Sequence, residues 1–233
     1  MGRQPQRITI KSQQMTDRTR ARELAAEYHR KGDPTGWFEA LYREAEEGKS
    51  TVPWADYHPT PLLVSFWMTH PLSTEGKSAL VIGTGLGDDA EQLAAWGFLT
   101  TAFDISQTAI RAVRKRFPNS KVDYHAADLL EPPAAWQGKF DFVFEANTLQ
   151  VLPAQLRPPA MKNIVAFLWP HGLLLVVARA REPHEPEGQM PWPLTPQELD
   201  GFKALGLEEL QLEILRDADE PDVRRFRALY RLP

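Results

Sequence analysis

Ser78-Ala79-Leu80-Val81-Ile82-Gly83-Thr84-Gly85-Leu86-Gly87-Asp88-Asp89-Ala90 is the stretch on which the organisation of the chain turns. Ala79 to Ile82 form an unbroken apolar run, the signature of a strand buried on both faces. Alternate glycines then mark a tight turn, and Asp88 and Asp89 have the chemistry of a helix start. The unit is a strand, a glycine loop and a helix. In an open α/β sheet such a loop lies at the carboxyl end of a central strand, where bare backbone lets a ligand come close.

The loop reads G-x-G-x-G, with Asp88 where a dinucleotide fingerprint places its third glycine. A pyrophosphate would meet Asp88 and Asp89 at a helix N-terminus that ordinarily favours anions. A ligand carrying an ammonium and a sulfonium suits that acidic end better. Next, Gly97 to Phe103 forms a strand ending at Asp104-Ile105-Ser106, roughly 20 residues beyond the loop, where an acidic residue can accept both hydroxyls of a ribose. A third strand, Lys121 to His125, precedes Asp128, placed to receive the exocyclic amine of an adenine. Each aspartate also has a plain reading as a cap or loop residue, with Ser106 a rival to Asp104 for the helix that follows.

The run from Leu80 to Ile110 resembles motifs I and II of class I S-adenosylmethionine-dependent methyltransferases. More narrowly it is similar to the thiopurine S-methyltransferase superfamily, which includes thiol and halide methyltransferases. Gly83, Gly85, Gly87, Asp89, Ala90, Leu93, Ala94, Gly97 and Asp104-Ile105-Ser106 match that pattern, while Ile82 and Thr84 replace its proline and cysteine. Val52-Pro53-Trp54-Ala55-Asp56 resembles its P-W-D segment, and Leu152-Pro153 with Leu156-Arg157-Pro158 its segment after the fourth strand. The resemblance implies S-adenosylmethionine as cofactor, held by Trp37, Trp54, Gly83, Thr84, Gly85, Asp104, Ile105, Asp128, Leu129, Glu145 and Ala146. It further implies that Arg157 borders the acceptor and that Glu145 stands beside it. Family members commonly carry an aspartate and an aromatic where this chain has Glu145-Ala146.

The chain has 233 residues, 42% of them hydrophobic, enough for one substantial core. A formal charge of -4 with no basic stripe argues against a general nucleic-acid binder. Arg111, Arg114, Lys115 and Arg116 cluster near a helix end, where a solvated cationic face is the simpler reading. The absence of cysteine excludes disulfides, thiolate metal sites and cysteine nucleophiles. No apolar run approaches the length of a membrane span, so a monomeric cytoplasmic protein is expected.

The expected domain plan is a polar tail over 1–15 and one methyltransferase domain over 16–233, with a helical lid over 16–58. Asp33-Pro34 starts a helix through Trp37, Phe38, Leu41 and Tyr42, and the polar stretch Glu44 to Ser50 reads as a joint. Strands alternate with helices from Pro61 onward, with a fourth strand at Phe140–Phe144 and a fifth at Leu173–Ala178. Proline-rich residues 179–196 are irregular and leave the end of the fifth strand, in position to wall an acceptor pocket. Two final strands, near 209–215 and 226–231, complete by analogy a doubly wound, Rossmann-like α/β fold: seven strands, mostly parallel, with helices on both faces.

Methyl transfer from a sulfonium is an in-line displacement that rests on positioning and desolvation, so the motifs speak for the cofactor more than the acceptor. A thiolate needs no base near neutral pH, whereas an alcohol needs a base or metal, and the scattered histidines offer no metal cluster. A small thiol is the favoured acceptor. O-, N- or C-methylation of a natural product is the alternative, with Glu145, His125 or His184 as base. A nicotinamide oxidoreductase and a non-catalytic binding module are the remoter readings.

Overall fold

The computed structural model of the chain describes residues 5–217 and 220–233. Two helices, α1 (Pro5–Arg30) and α2 (Gly36–Glu46), precede the sheet. Its strands are β1 (Ser78–Ile82), β2 (Leu99–Asp104), β3 (Asp123–Ala126), β4 (Phe140–Ala146), β5 (Leu168–Arg179), β6 (Glu208–Arg216) and β7 (Arg224–Arg231). They lie side by side as β3-β2-β1-β4-β5-β7-β6, with β1 to β5 parallel and β7 antiparallel to both its neighbours. This is the expected sheet, including its last two strands. The order in which strands are added reverses between β1 and β4, and a crevice at such a switch point is where open sheets take their ligands.

Alternation along the strands builds two cores. Ala79, Val81, Phe142, Phe144, Leu175 and Val177 face α3 (Pro61–Thr69), α4 (Asp88–Ala95) and α5 (Gln107–Arg116). Leu80, Ile82, Val143, Leu174 and Val176 face α6 (Arg157–Phe167) and α7 (Pro196–Ala204). The start of α7 is written locally: Thr195 Oγ1 accepts from Glu198 N at 3.2 Å while Glu198 Oε2 accepts from Thr195 N at 2.8 Å. Among the described residues no helix is long and apolar enough to cross a membrane.

The main differences from expectation fall at three boundaries. α1 runs back through residues 5–15, where polar composition reads as a tail; residues 1–4 lie outside the described residues. Past Pro5, which sits at the first helical position, that stretch holds no helix breaker. α2 continues through Glu44 to Glu46, because Glu44 Oε2 accepts from Arg20 Nε at 2.8 Å and ties the polar stretch to α1. β5 starts at Leu168, not Leu173, with a register irregularity that accommodates Pro170, a residue unable to donate to the ladder.

Candidate functional site

A cleft of about 1630 Å³ follows the carboxyl edge of the sheet from β3 to β6. At its centre the glycine loop leaves β1. Gly85 has φ +53°, and a Cβ there would lie 3.1 Å from the Tyr42 hydroxyl. Gly87 has φ +91° and opens α4; a Cβ there would lie 2.3 Å from Val113 Cγ2 on α5. The third glycine therefore serves helix packing, and the loop backbone stays bare toward the cleft.

Asp104, at the end of β2, is buried and lines the cleft. Its Oδ2 accepts from Gly85 N at 3.0 Å and its Oδ1 from Ser106 N at 2.9 Å. A carboxylate oxygen has two acceptor positions, so each keeps one for a ligand hydroxyl. Burial pushes this carboxyl up to about 6 against the pull of those two amides, and the charge of Glu39 adds to the rise. Ser106, not Asp104, caps α5: its Oγ accepts from Ala109 N at 3.0 Å. Asp128 also lines the cleft, its Oδ1 accepting from Leu130 N at 2.8 Å, beside Ile105 and Leu129. Thr84 is buried with its Oγ1 lacking any protein partner.

The acidic helix start is less negative than it reads. Asp88 forms a two-pronged pair with Arg116, Nη1 to Oδ2 and Nη2 to Oδ1, both at 2.6 Å. Asp89 accepts from Thr60 N at 2.7 Å and Thr60 Oγ1 at 2.9 Å, and burial pushes it up to about 6. Charge repulsion is thus a weaker reason for refusing a phosphate than the sequence suggests. The basic cluster on α5 is also not merely solvated, since Arg116 reaches Leu86 O at 3.0 Å as well and Arg114 donates to Tyr124 O.

Over the loop stands an aromatic wall. Trp54 is 36% exposed, and its ring meets those of Trp37, Phe38 and Tyr42 edge-on. Trp37 also lines the cleft, yet it is 0% exposed and anchors a third core with Leu24, Ala25 and Leu41 of α1 and α2 and Met190 of the proline-rich segment. Trp54 thus stands at the rim of the cleft, whereas Trp37 is a core residue. Glu39 on α2 fastens this cover to the sheet domain. Its carboxylate accepts from Ser106 Oγ at 2.7 Å, Thr108 Oγ1 at 2.6 Å and Thr108 N at 3.1 Å.

Beyond β4, Ala146 lines the cleft and Glu145 does not. Strand alternation sends Glu145 to the opposite face. It is 0% exposed, and its Oε1 accepts from Thr148 N at 2.6 Å and Leu149 N at 3.0 Å while Oε2 has no protein partner. Arg157, 4% exposed, also lies outside the lining. Its guanidinium pairs with Glu198 and, at 3.4 Å, with Glu187, and its Nε reaches Leu152 O at 3.1 Å. Neither of the two residues expected beside the acceptor lines the cleft in this structure. The buried ties of Arg157 depend on Glu187 and Glu198, which no local pattern links to it. Met190 and Pro191 do wall the cleft, as expected of the proline-rich segment. Among the lining residues that sequence reading missed are Tyr42 and the arginines Arg18, Arg179, Arg216 and Arg225. Among the described residues no cluster of His, Asp or Glu could hold a metal ion.

Residues 79–172 match the family model described as a methyltransferase domain. The chain is 36% identical over 89 residues to the ubiquinone biosynthesis O-methyltransferase of Aromatoleum aromaticum, covering 37% of this chain and 38% of that protein's length. It is 27% identical over 174 residues to the probable thiol methyltransferase 2 of Arabidopsis thaliana, covering 70% of this chain and 74% of that one. Among solved structures it is similar to the N-methyltransferase NodS of Bradyrhizobium japonicum in complex with S-adenosylhomocysteine, with TM-score 0.63, 21% identity, and 84% and 99% of the two chains covered. It is also similar to the protein of a structure titled for the conversion of a disulfide bond into a thioacetal group during echinomycin biosynthesis. There the TM-score is 0.69 and the identity 20%, with 85% and 92% covered. These likenesses displace the nicotinamide reading.

Proposed function

We propose, on the premise that the chain belongs to the class I S-adenosylmethionine-dependent methyltransferases, that it methylates a small molecule at a thiol or similarly soft atom. The cofactor, when bound, supplies an electrophilic methyl group that an acceptor lone pair takes while the carbon–sulfur bonding pair returns to sulfur. The residues present fit such a ligand. Asp104 offers two lone pairs to ribose hydroxyls, Asp128 one oxygen to an adenine amine, and Thr84 a buried hydroxyl without a protein partner. Bare backbone from Gly83 to Gly85, the side chains of Ile105, Leu129 and Ala146, and the Trp37–Trp54 wall would complete the enclosure. Together they exclude water from a site where a sulfonium must be held.

The observation that carries the acceptor reading is the chemistry of the cleft wall beside Ala146. Val151, Leu152, Val177 and Met190 are apolar, and none of the three bases considered, Glu145, His125 and His184, lines the cleft, nor does Arg157. An acceptor that is already nucleophilic near neutral pH suits such a wall. The likeness to a probable thiol methyltransferase supports the same choice. We further propose that the protein acts as a cytoplasmic monomer. The test is turnover of thiols, phenols, amines and halides matched in size, read as S-adenosylhomocysteine formed. Thiols should react fastest, with no loss in chelator; a chelator-sensitive activity confined to catechols would overturn the assignment in favour of oxygen.

A further inference from the structure

We propose that the acceptor carries a carboxylate, bound by Arg18 and Arg179 at the β5–β7 end of the cleft, where Glu220 occupies the place in its absence. This rests on the methyltransferase reading above and names the class of substrate. Arg179 and Arg225 are direct cross-strand partners in the β5–β7 ladder, so their side chains share one face of the sheet at its carboxyl edge. Like charges directly opposite on neighbouring strands repel. Both are mostly buried, with side chains 15% and 17% exposed, which makes the pairing costlier still.

Arg18 of α1 converges on the same spot. Glu220 receives Arg18 Nη1 at 3.1 Å and Arg179 Nη2 at 3.0 Å, its two oxygens shared between the guanidinium groups. Arg225 pairs with Asp217 and donates from Nη1 to Asn147 Oδ1 at 2.8 Å. Asp56 also acts on Arg18. Burial depresses Arg179, and the charges of Arg18 and Arg225 press it further down against the support of Glu220.

Location gives this cluster its meaning. Asn147, which Arg225 holds, follows Ala146 at the end of β4 and lines the cleft with it. A methyl acceptor seated by Ala146 therefore lies beside the guanidinium groups. The two guanidinium forks that already share one carboxylate, those of Arg18 and Arg179, match the planar, two-oxygen geometry of such a group. Glu220, on the connection between β6 and β7 and about a third exposed, supplies that geometry from within the chain. A mercapto acid would meet both ends of the cleft, its sulfur at the apolar wall and its carboxylate at the arginines.

The experiment is calorimetric titration of the protein saturated with S-adenosylhomocysteine, using 4-mercaptobenzoate against 4-mercaptobenzamide and 4-hydroxybenzoate against 4-hydroxybenzamide. The acid should bind more tightly than its amide in both pairs, by roughly tenfold for a charge-assisted two-pronged contact. Arg179→Gln should remove the preference while leaving amide affinity unchanged, and Glu220→Gln should enlarge it by freeing the site of its internal carboxylate. Should Arg179→Gln fail to fold, Arg179→Lys and Glu220→Gln carry the test, with Lys expected to keep a reduced preference. Equal affinity for acid and amide in the unaltered protein, absence of both included, overturns the proposal. Failure to bind S-adenosylhomocysteine would instead overturn the cofactor reading beneath it.

Discussion

Trp54 Nε1 donates to the Tyr42 hydroxyl at 2.9 Å, and that hydroxyl stands 3.1 Å from where a Cβ on Gly85 would lie. The pair forms a roof directly over the loop that leaves β1. Burial holds the Tyr42 phenol well above its ordinary range, so it stays a neutral hydroxyl at any working pH.

Removing the roof and removing its foundation should have separable effects. Trp54→Ala should raise the dissociation constant of S-adenosylhomocysteine about tenfold, the cost of roughly 1.4 kcal/mol of lost apolar cover, with little change in the melting temperature of the empty protein. Trp37→Ala, which empties a site with 0% exposure, should cost about 3 to 5 kcal/mol of stability. Calorimetry and thermal melts on both variants check this; a large melting-point loss in Trp54→Ala would make it a core residue.

Asp104 makes cofactor affinity depend on pH. Hydroxyl donors favour the ionised carboxylate, while the empty protein holds the group at about 6. Binding should therefore weaken as pH falls through 6, and below it binding should release a proton, measurable by calorimetry in buffers of different ionisation enthalpy. Asp104→Ala should lose about 1 to 3 kcal/mol of binding and the pH dependence with it. An unchanged proton count in the variant would move the ribose elsewhere.

Glu145 should show the mirror image in stability. Burial pushes it from 4.5 to about 7, so its folded form prefers the proton. A raised carboxyl contributes stability at low pH that is lost as pH climbs from 4.5 through about 7, here on the order of 3 kcal/mol. Glu145→Gln should flatten that decline in urea-unfolding free energies measured from pH 5 to 8 while leaving turnover largely intact. Loss of turnover without a flatter profile would restore a catalytic role.

For Arg157 the expected loss is structural. Arg157→Ala takes from Glu198 one of its two arginine partners, leaving it Arg181 and Thr195, and empties a buried position at the start of α6, at about 2 to 4 kcal/mol once the partial exposure of Glu198 is discounted. Cofactor affinity at low temperature should survive, as isothermal titration would show.

The fold was legible because its central strands carry short apolar runs closed by turn chemistry, from Leu80-Val81-Ile82 in β1 to Leu173-Leu174-Leu175 in β5, and alternate with helical periodicity. The β1–β3 half of the cleft lining was legible for a related reason: Gly83, Gly85, Asp104 and Asp128 sit at or just past strand ends, and strand ends can be counted. What escaped were contacts between residues far apart in the chain. Arg116 neutralises Asp88, Arg157 spends its charge on Glu198, and Arg18 meets Glu220 across 202 positions. Nothing in the local pattern distinguishes such an arginine from one on a solvated face.

The grip of Glu39 on Ser106 and Thr108 has an evolutionary consequence. Ser106 N also holds Asp104, so one short segment, 104–108, answers both to the ligand and to a helix encoded before the sheet begins. Altering Glu39 alone would leave two hydroxyls and an amide without their acceptor, and altering Ser106 or Thr108 alone would leave a carboxylate partly unpaired. Substitutions at these three positions are tolerable chiefly in concert. The prefix of two helices is thereby bound to the fate of the end of β2 and the start of α5.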